Sequence, residues 1–397
     1  LVFPAVTMVD SRRAKPIVLY GAVCAHATFT LTVNKEKMRT NFLKPGLFAV
    51  AMLLASVSQA QVQFQFKDLG TLGGPNSWAT GINNSGEIVG FSRYNNFNSV
   101  TGAAIWSGNS IKALDGLSGM NSYAWAINDS GKVGGAADTV QPGRWDEPSH
   151  AVSWNRGSTT ATDLGTLYNS FTSSSATAIS SNGQVAGWSH DENNASNNVT
   201  MWHGSQMTDL TPGSTYSFAN GINNNGDVVG NQFWQATLWR NGEAIDLGGL
   251  GGFESSAQAI NNAGQIVGVA MDDNWSAHAV MWQNGSIKDL GTLGGSSGGA
   301  TAINNLGYVV GSSYTASNSS HATLWIGNSK IDLNNFISAD AAQAGWVLSS
   351  ATGINDHGFV IGNAYNINTG NTHAYMLSPV PEPETYAMMI AGLGALA

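Results

Sequence analysis

The side chains in this sequence that could do chemistry are carboxylates, imidazoles and indoles gathered in a few loops. Arg144, Trp145, Asp146 and Glu147 share one stretch, His190, Asp191 and Glu192 a second, and Asp272, Asp273 and Trp275 a third. Glycoside hydrolysis needs two carboxylates about 5–10 Å apart across a cleft. Asp146 or Glu147 with Asp191 is the pair the chain order would allow. Asp272 and Asp273 could contribute to a Ca²⁺ site, since Ca²⁺ takes several oxygen ligands, but no EF-hand spacing surrounds them. Trp beside carboxylates and amides also suits a sugar, whose apolar ring face meets the indole while its hydroxyls meet the polar groups. The same residues are ordinary in solvated loops. No nucleophile elbow, zincin helix or phosphate-binding loop is present.

Other candidates recur. Asp68, Asp163, Asp209, Asp246, Asp289 and Asp332 occupy one repeated position, and His150, His278, His321 and His373 another. A catalytic acid is needed once or twice, and metal ligands must converge. Groups repeated in successive units instead point to structural hydrogen bonds. By the same reasoning Trp106, Trp154, Trp202, Trp239, Trp282 and Trp325 read as core.

The unit that positions these groups begins with "INNSGEIVG" at 82 and returns at 127, 179, 222, 260, 303 and 354. Its mean spacing is about 45 residues, the size of a four-stranded propeller blade. Each copy is followed by an "ATLW"-like run, ending in "AYMLSP" (374–379) with Met376 at the Trp position. An "xIDLG"-like run comes next. Its seventh copy is displaced to the front of the series, as "FKDLGTLGG" at 66–74. In a ring, that spare strand completes the last blade and removes open sheet edges; a solenoid would gain nothing from it. The expected fold is therefore an all-β, seven-bladed β-propeller of four-stranded blades, closed by the N-terminal strand. The Asn-x-x-Gly turns and the third-to-fourth turns lie on one uniform face. The variable second-to-third connections lie on the other, the usual layout of a binding surface.

These repeats resemble the extracellular HAF-repeat family, with its D-L-G-x-L-G-G, A-x-x-I-N-x-x-G-x-V-V-G and H-A-F-x-W progression, over residues 66–377. The resemblance implies a secreted repeat protein and no settled activity.

Four segments are expected: 1–37, an upstream leader outside the natural start; 38–60, a signal peptide; 61–378, the propeller; and 379–397, a sorting segment. Met38 onward has a basic start, an apolar stretch from Leu47 to Val57, and Ser58-Gln59-Ala60 before a cut between Ala60 and Gln61. That implies Sec-dependent export to the outside or outer surface. Cys24 is the one cysteine and lies in the leader, so disulfides cannot support the body. The tail, with Pro381-Glu382-Pro383 and an apolar run from Tyr386, resembles the PEP-CTERM sorting signal, also described as an ice-binding protein C-terminal motif. That family implies processing by an exosortase, transient membrane contact and Gram-negative bacteria that make exopolysaccharide. Here the apolar run stops short of the roughly 20 residues a span needs, and the Arg-rich end is missing.

Charged residues make up 10 % of the chain, against about 25 % in ordinary soluble domains. Residues 61–397 hold 9 of the 16 basic and 23 of the 25 acidic side chains, a net −14. That balance argues against nucleic acid, whose phosphates need a basic face. No cofactor is implied beyond the Ca²⁺ noted above. Three functions fit: a non-enzymatic protein binding exopolysaccharide or matrix through the variable loops, a polysaccharide hydrolase or lyase using carboxylates of blades 2 and 3, and a structural protein assembling through the loop face.

Overall fold

The structure, a computed structural model, describes residues 63–95, 100–140, 148–168, 172–191, 196–204, 206–213 and 216–380, with a short strand pair at Thr7–Met8 and Ile17–Val18. Leu1–Ala60 and Gln61–Ala397 are separate compact units. The signal-cleavage pair, the sorting motif, Arg144–Glu147 and Glu192 lie outside the described residues.

Residues 64–379 form seven antiparallel sheets of four strands each, a seven-bladed β-propeller. Blade 1 runs Ser77–Ile82, Ile88–Arg93, Thr101–Ser107 and Ser110–Leu114, and each later blade repeats this order outward from the axis. Blade 7 is built from both ends of the propeller sequence. Trp346–Ile354, Val360–Asn366 and Thr372–Pro379 are joined by Phe64–Asp68, which pairs Phe64 with Pro379 and Asp68 with Tyr375. This register places Leu377, not Met376, where the other blades carry Trp: Leu377 faces Val360 as Trp325 faces Val309. Leu377 and the six Trp side chains are all at most 3 % exposed. The connection from blade 6 to blade 7 departs from pure β structure. It holds a 3₁₀ turn at Leu333–Phe336 and a short helix at Ala339–Gln343, N-capped by Ser338. Phe336 meets Phe64 of the closing strand edge-on at 5.2 Å.

The repeated letters have local causes. Each innermost strand bulges near its middle, leaving one residue out of register, as at Thr80 between Ala79 and Gly81. A bulge bends the strand and re-aims its side chain. The Thr80 hydroxyl donates to the Ala124 carbonyl of blade 2 at 2.8 Å, and Thr301 and Thr352 reach Ala351 and Ala79 in the same way. The bulge presses the first strand's backbone against the second. A Cβ on Gly90 would collide with the Trp78 carbonyl, and one on Gly268 with that of Ser256, which explains the glycine closing every "IVG". Serines at the start of the first strands latch neighbouring blades: the Ser77, Ser122, Ser174 and Ser255 hydroxyls accept the amides of Ala374, Ala103, Ala151 and Ala236.

The recurring His and Asp pair with each other. His150, His278, His321 and His373 meet Asp163, Asp289, Asp332 and Asp68 through Nδ1 at 2.7–3.0 Å. The other oxygens of Asp163, Asp68 and Asp289 accept the amides of Gly165, Gly70 and Gly291. In blade 3, Asn198 stands in for His and donates to Asp209 at 3.0 Å. In blade 1 both partners are absent together, as Gly102 and Ala113. Burial pushes the Asp163 and Asp68 carboxyls up, but their hydrogen bonds and the facing imidazoles outweigh it and hold both below the ordinary range.

Candidate binding face

The two ends of the ring differ in kind. At the Asn-x-x-Gly end, the first Asn of each turn is buried. Its Oδ1 caps its own turn, as Asn304 does for Leu306 and Tyr308, and its Nδ2 donates to the next blade's carbonyl. The links run Asn83 to Asn128, Asn128 to Ser180, Asn223 to Asn261, Asn261 to Asn304, Asn304 to Asn355, and Asn355 back to Asn83. Blade 3 carries Ser180, so the ring lacks its link to blade 4. Inside lies a polar axial mouth of ≈ 220 Å³, bounded by a second circle in which Asn84 contacts Asp129 and Asp356, and Asn305 contacts Asp356. Amides spaced by blade thus converge on the axis, which a turn motif read alone did not reveal.

The opposite face carries the described candidate loops, and it places them differently from the sequence expectation. His190 and Asp191 are not in a loop. They end the strand Val185–Asp191, with Asp191 buried and opposite Ser196. The His190 ring contacts Asn197 Oδ1 at 2.9 Å. Asp191 and Asp209, after burial itself, help push the Tyr168 phenol up to about 12. Asp191 therefore does not stand open for catalysis. Asp272 caps its own turn, its Oδ1 accepting the amides of Asn274 and Ser276, and its Oδ2 lies 3.3 Å from His278 Nε2. The Ser276 amide is the main cause of its lowered pKa. Asp273 stands over Gly251. Among the described residues no group of three or more His, Cys, Asp or Glu side chains could hold a metal ion.

Trp275 is the expected residue the structure leaves free, 71 % exposed, and it has company. Tyr216, Phe233, Trp234 and Phe253 are each 52–60 % exposed on the same face of blades 4 and 5. Hydrogen bonds tie the segments of four of them: the Phe233 amide donates to the Tyr216 carbonyl, the Ser255 amide to the Trp234 carbonyl, and the Gln235 side chain, through Nε2, to the Phe253 carbonyl, while Trp275 sits in the turn after Asp272. Four of these five aromatics have left-handed backbones, with φ of 58° at Tyr216, 51° at Phe233, 67° at Trp234 and 64° at Trp275. Phe233 and Trp234 are the two central residues of a hairpin closed by Gln232 and Gln235, where Asn-Gly is the comfortable choice. A bulky residue with positive φ is an outlier, costing of order 1–3 kcal/mol. The loop "NQFWQ" carries this signal in the sequence: two aromatics where a tight hairpin wants Asn and Gly.

No family model matches the chain, and no curated protein matches it. Solved structures that resemble it include TolB from Acinetobacter baumannii, at 10 % identity and a TM-score of 0.39, covering 75 % of this chain and 64 % of that one. A triple-arginine mutant of AofleA from Arthrobotrys oligospora aligns at 11 % identity and a TM-score of 0.37, over 81 % of this chain and 90 % of that one.

Proposed function

We propose that this chain is an exported HAF-type repeat protein without catalytic activity that holds matrix exopolysaccharide on its loop face, along the aromatic patch of blades 4 and 5. The observation that carries the reading is the patch itself: five exposed aromatic rings, four on left-handed backbone. Strained bulky residues persist when function requires their display. Aromatic rings bind the apolar faces of sugar rings at small entropic cost, and the acidic body discourages anionic partners. The signal-like segment 38–60 and the sorting-type tail support delivery to the outer surface, with an exosortase-type enzyme as processing partner.

The test is capture of purified exopolysaccharide fractions by the full chain, compared with the double variant Trp234→Ala/Trp275→Ala. Binding that falls at least about tenfold, or 1.4 kcal/mol, in the variant supports the reading. Equal capture by both proteins, or capture by neither, removes it.

A further inference from the structure

The innermost strands carry one position that changes sharply in size around the ring. Four residues before each repeated Ile stand Trp78, Tyr123, Ser175, Phe218, Ser256, Gly299 and Ser350 in blades 1 to 7. In blades 1 and 2 the aromatics pack into a solid cluster. Trp78 stacks on Phe91 at 5.0 Å and Tyr123 on Trp125 at 5.6 Å, and Phe91 meets both of the latter edge-on. In blade 7 the same place holds Ser350. A groove of ≈ 540 Å³ opens there over blade 7, between His321 of blade 6 and Trp78 of blade 1. That volume is ordinary for a small-molecule site.

Its lining is amphipathic. Trp78, Tyr365 and Ile367 supply apolar surface, while Ser350, Asn363 and His321 supply polar groups, and no Asp, Glu, Lys or Arg takes part. The polar groups are held by bonds outside the groove. Asn363 Oδ1 accepts the Ala79 amide at 3.1 Å, which fixes its orientation and leaves Nδ2 as the donor for a ligand. His321 Nδ1 lies 2.7 Å from Asp332 Oδ2, which fixes the orientation of the ring and leaves Nε2 as its second polar atom. A fixed amide donor, an oriented imidazole and a serine hydroxyl beside an apolar wall match a ligand whose hydroxyls both donate and accept and whose ring faces are apolar.

We propose that this groove is a second site, which takes the end of a neutral saccharide one or two rings deep. It rests on the proposed function only for its class of ligand, because its residues belong to blades 6, 7 and 1 and the aromatic patch to blades 4 and 5.

The experiment is titration of the full chain with cellobiose, maltose and lactose, followed by saturation-transfer NMR and calorimetry. Ser350→Tyr restores the aromatic that blade 2 carries as Tyr123 and refills the groove; Asn363→Ala removes the oriented amide. At least one disaccharide is expected to bind saturably, about tenfold or more weaker in each variant and unchanged in Trp234→Ala/Trp275→Ala. If Ser350→Tyr lowers the melting temperature, the Asn363→Ala result decides. Failure of all three disaccharides to bind, or binding that persists in the variants, overturns the site. Disaccharide binding without polysaccharide capture would leave the groove standing and remove the proposed function. Capture without disaccharide binding would do the reverse.

Discussion

The turn face and the loop face are made by the same seven repeats and use them in opposite ways. On the turn face six of the seven blades contribute the same buried Asn, satisfied by its own turn and by the next blade. On the loop face the side chains that stand out do not repeat, and in blades 4 and 5 they are exposed aromatics on a backbone they do not favour. The lesson is that recurrence here measures demand from the architecture. Positions that recur are occupied with holding blades together, and what the ring can offer to a ligand lies where the pattern lapses.

That contrast can be broken first at the turn face. Asn304→Ala deletes two accepted bonds and one inter-blade donor at a buried position. It should cost about 3 kcal/mol of stability by denaturant unfolding, with polysaccharide capture unchanged. The opposite signature is expected at the loop face. Replacing Phe233 by Asn and Trp234 by Gly gives the hairpin the residues its turn wants, and should raise stability by about 1–2 kcal/mol while abolishing capture. A loss of stability there would mean that the strain is repaid by packing, and the two faces would no longer contrast.

A smaller effect should follow pH. Asp163 has a depressed folded pKa, so its pairing stabilises the protein above the ordinary carboxylate value of about 3.9 and ceases to do so as pH falls through the folded value. His150→Gln should therefore lower the melting temperature near neutrality, with the two curves converging in strong acid. Capture should stay unchanged, because this pair belongs to the architecture. The least effect is expected where the ring is incomplete. Ser180→Asn supplies the missing amide toward blade 4 and should add about 0.5–1 kcal/mol.

The architecture was legible because its causes are local and repeated. The Asn-x-x-Gly spacing and the displaced "FKDLG" were enough to imply a ring closed at blade 7. Single-copy features were harder to read. "WSHDENNASNN" looks like a loop because it is polar, yet His190 and Asp191 extend a strand that cross-strand bonds such as His190–Asn197 sustain. The Met376 reading is one residue off: aligned on His-Ala, "HAYML" sets Leu377 opposite the Trp of "HATLW", and the ladder register agrees. Trp275 was recognisable by type, whereas the signal of Phe233 and Trp234 in "NQFWQ" gains its meaning from the register, which leaves them alone in a two-residue turn. The groove over blade 7 is harder still, because it arises from what Ser350 lacks beside the aromatics at the same place in blades 1 and 2.

The strand Phe64–Asp68 has a consequence in time as well as in space. Its contact with Thr372–Pro379 joins residues such as Asp68 and His373, 305 positions apart. The first strand of the propeller to be synthesised is therefore the one whose partner comes last. Six blades can each form from neighbouring sequence, but the seventh must wait, with an unpaired edge at both ends of the arc. Pairings this distant are slow to form. A circular permutant that joined Pro379 to Phe64 through a short linker and opened between two other blades would turn the longest wait in the chain into a hairpin.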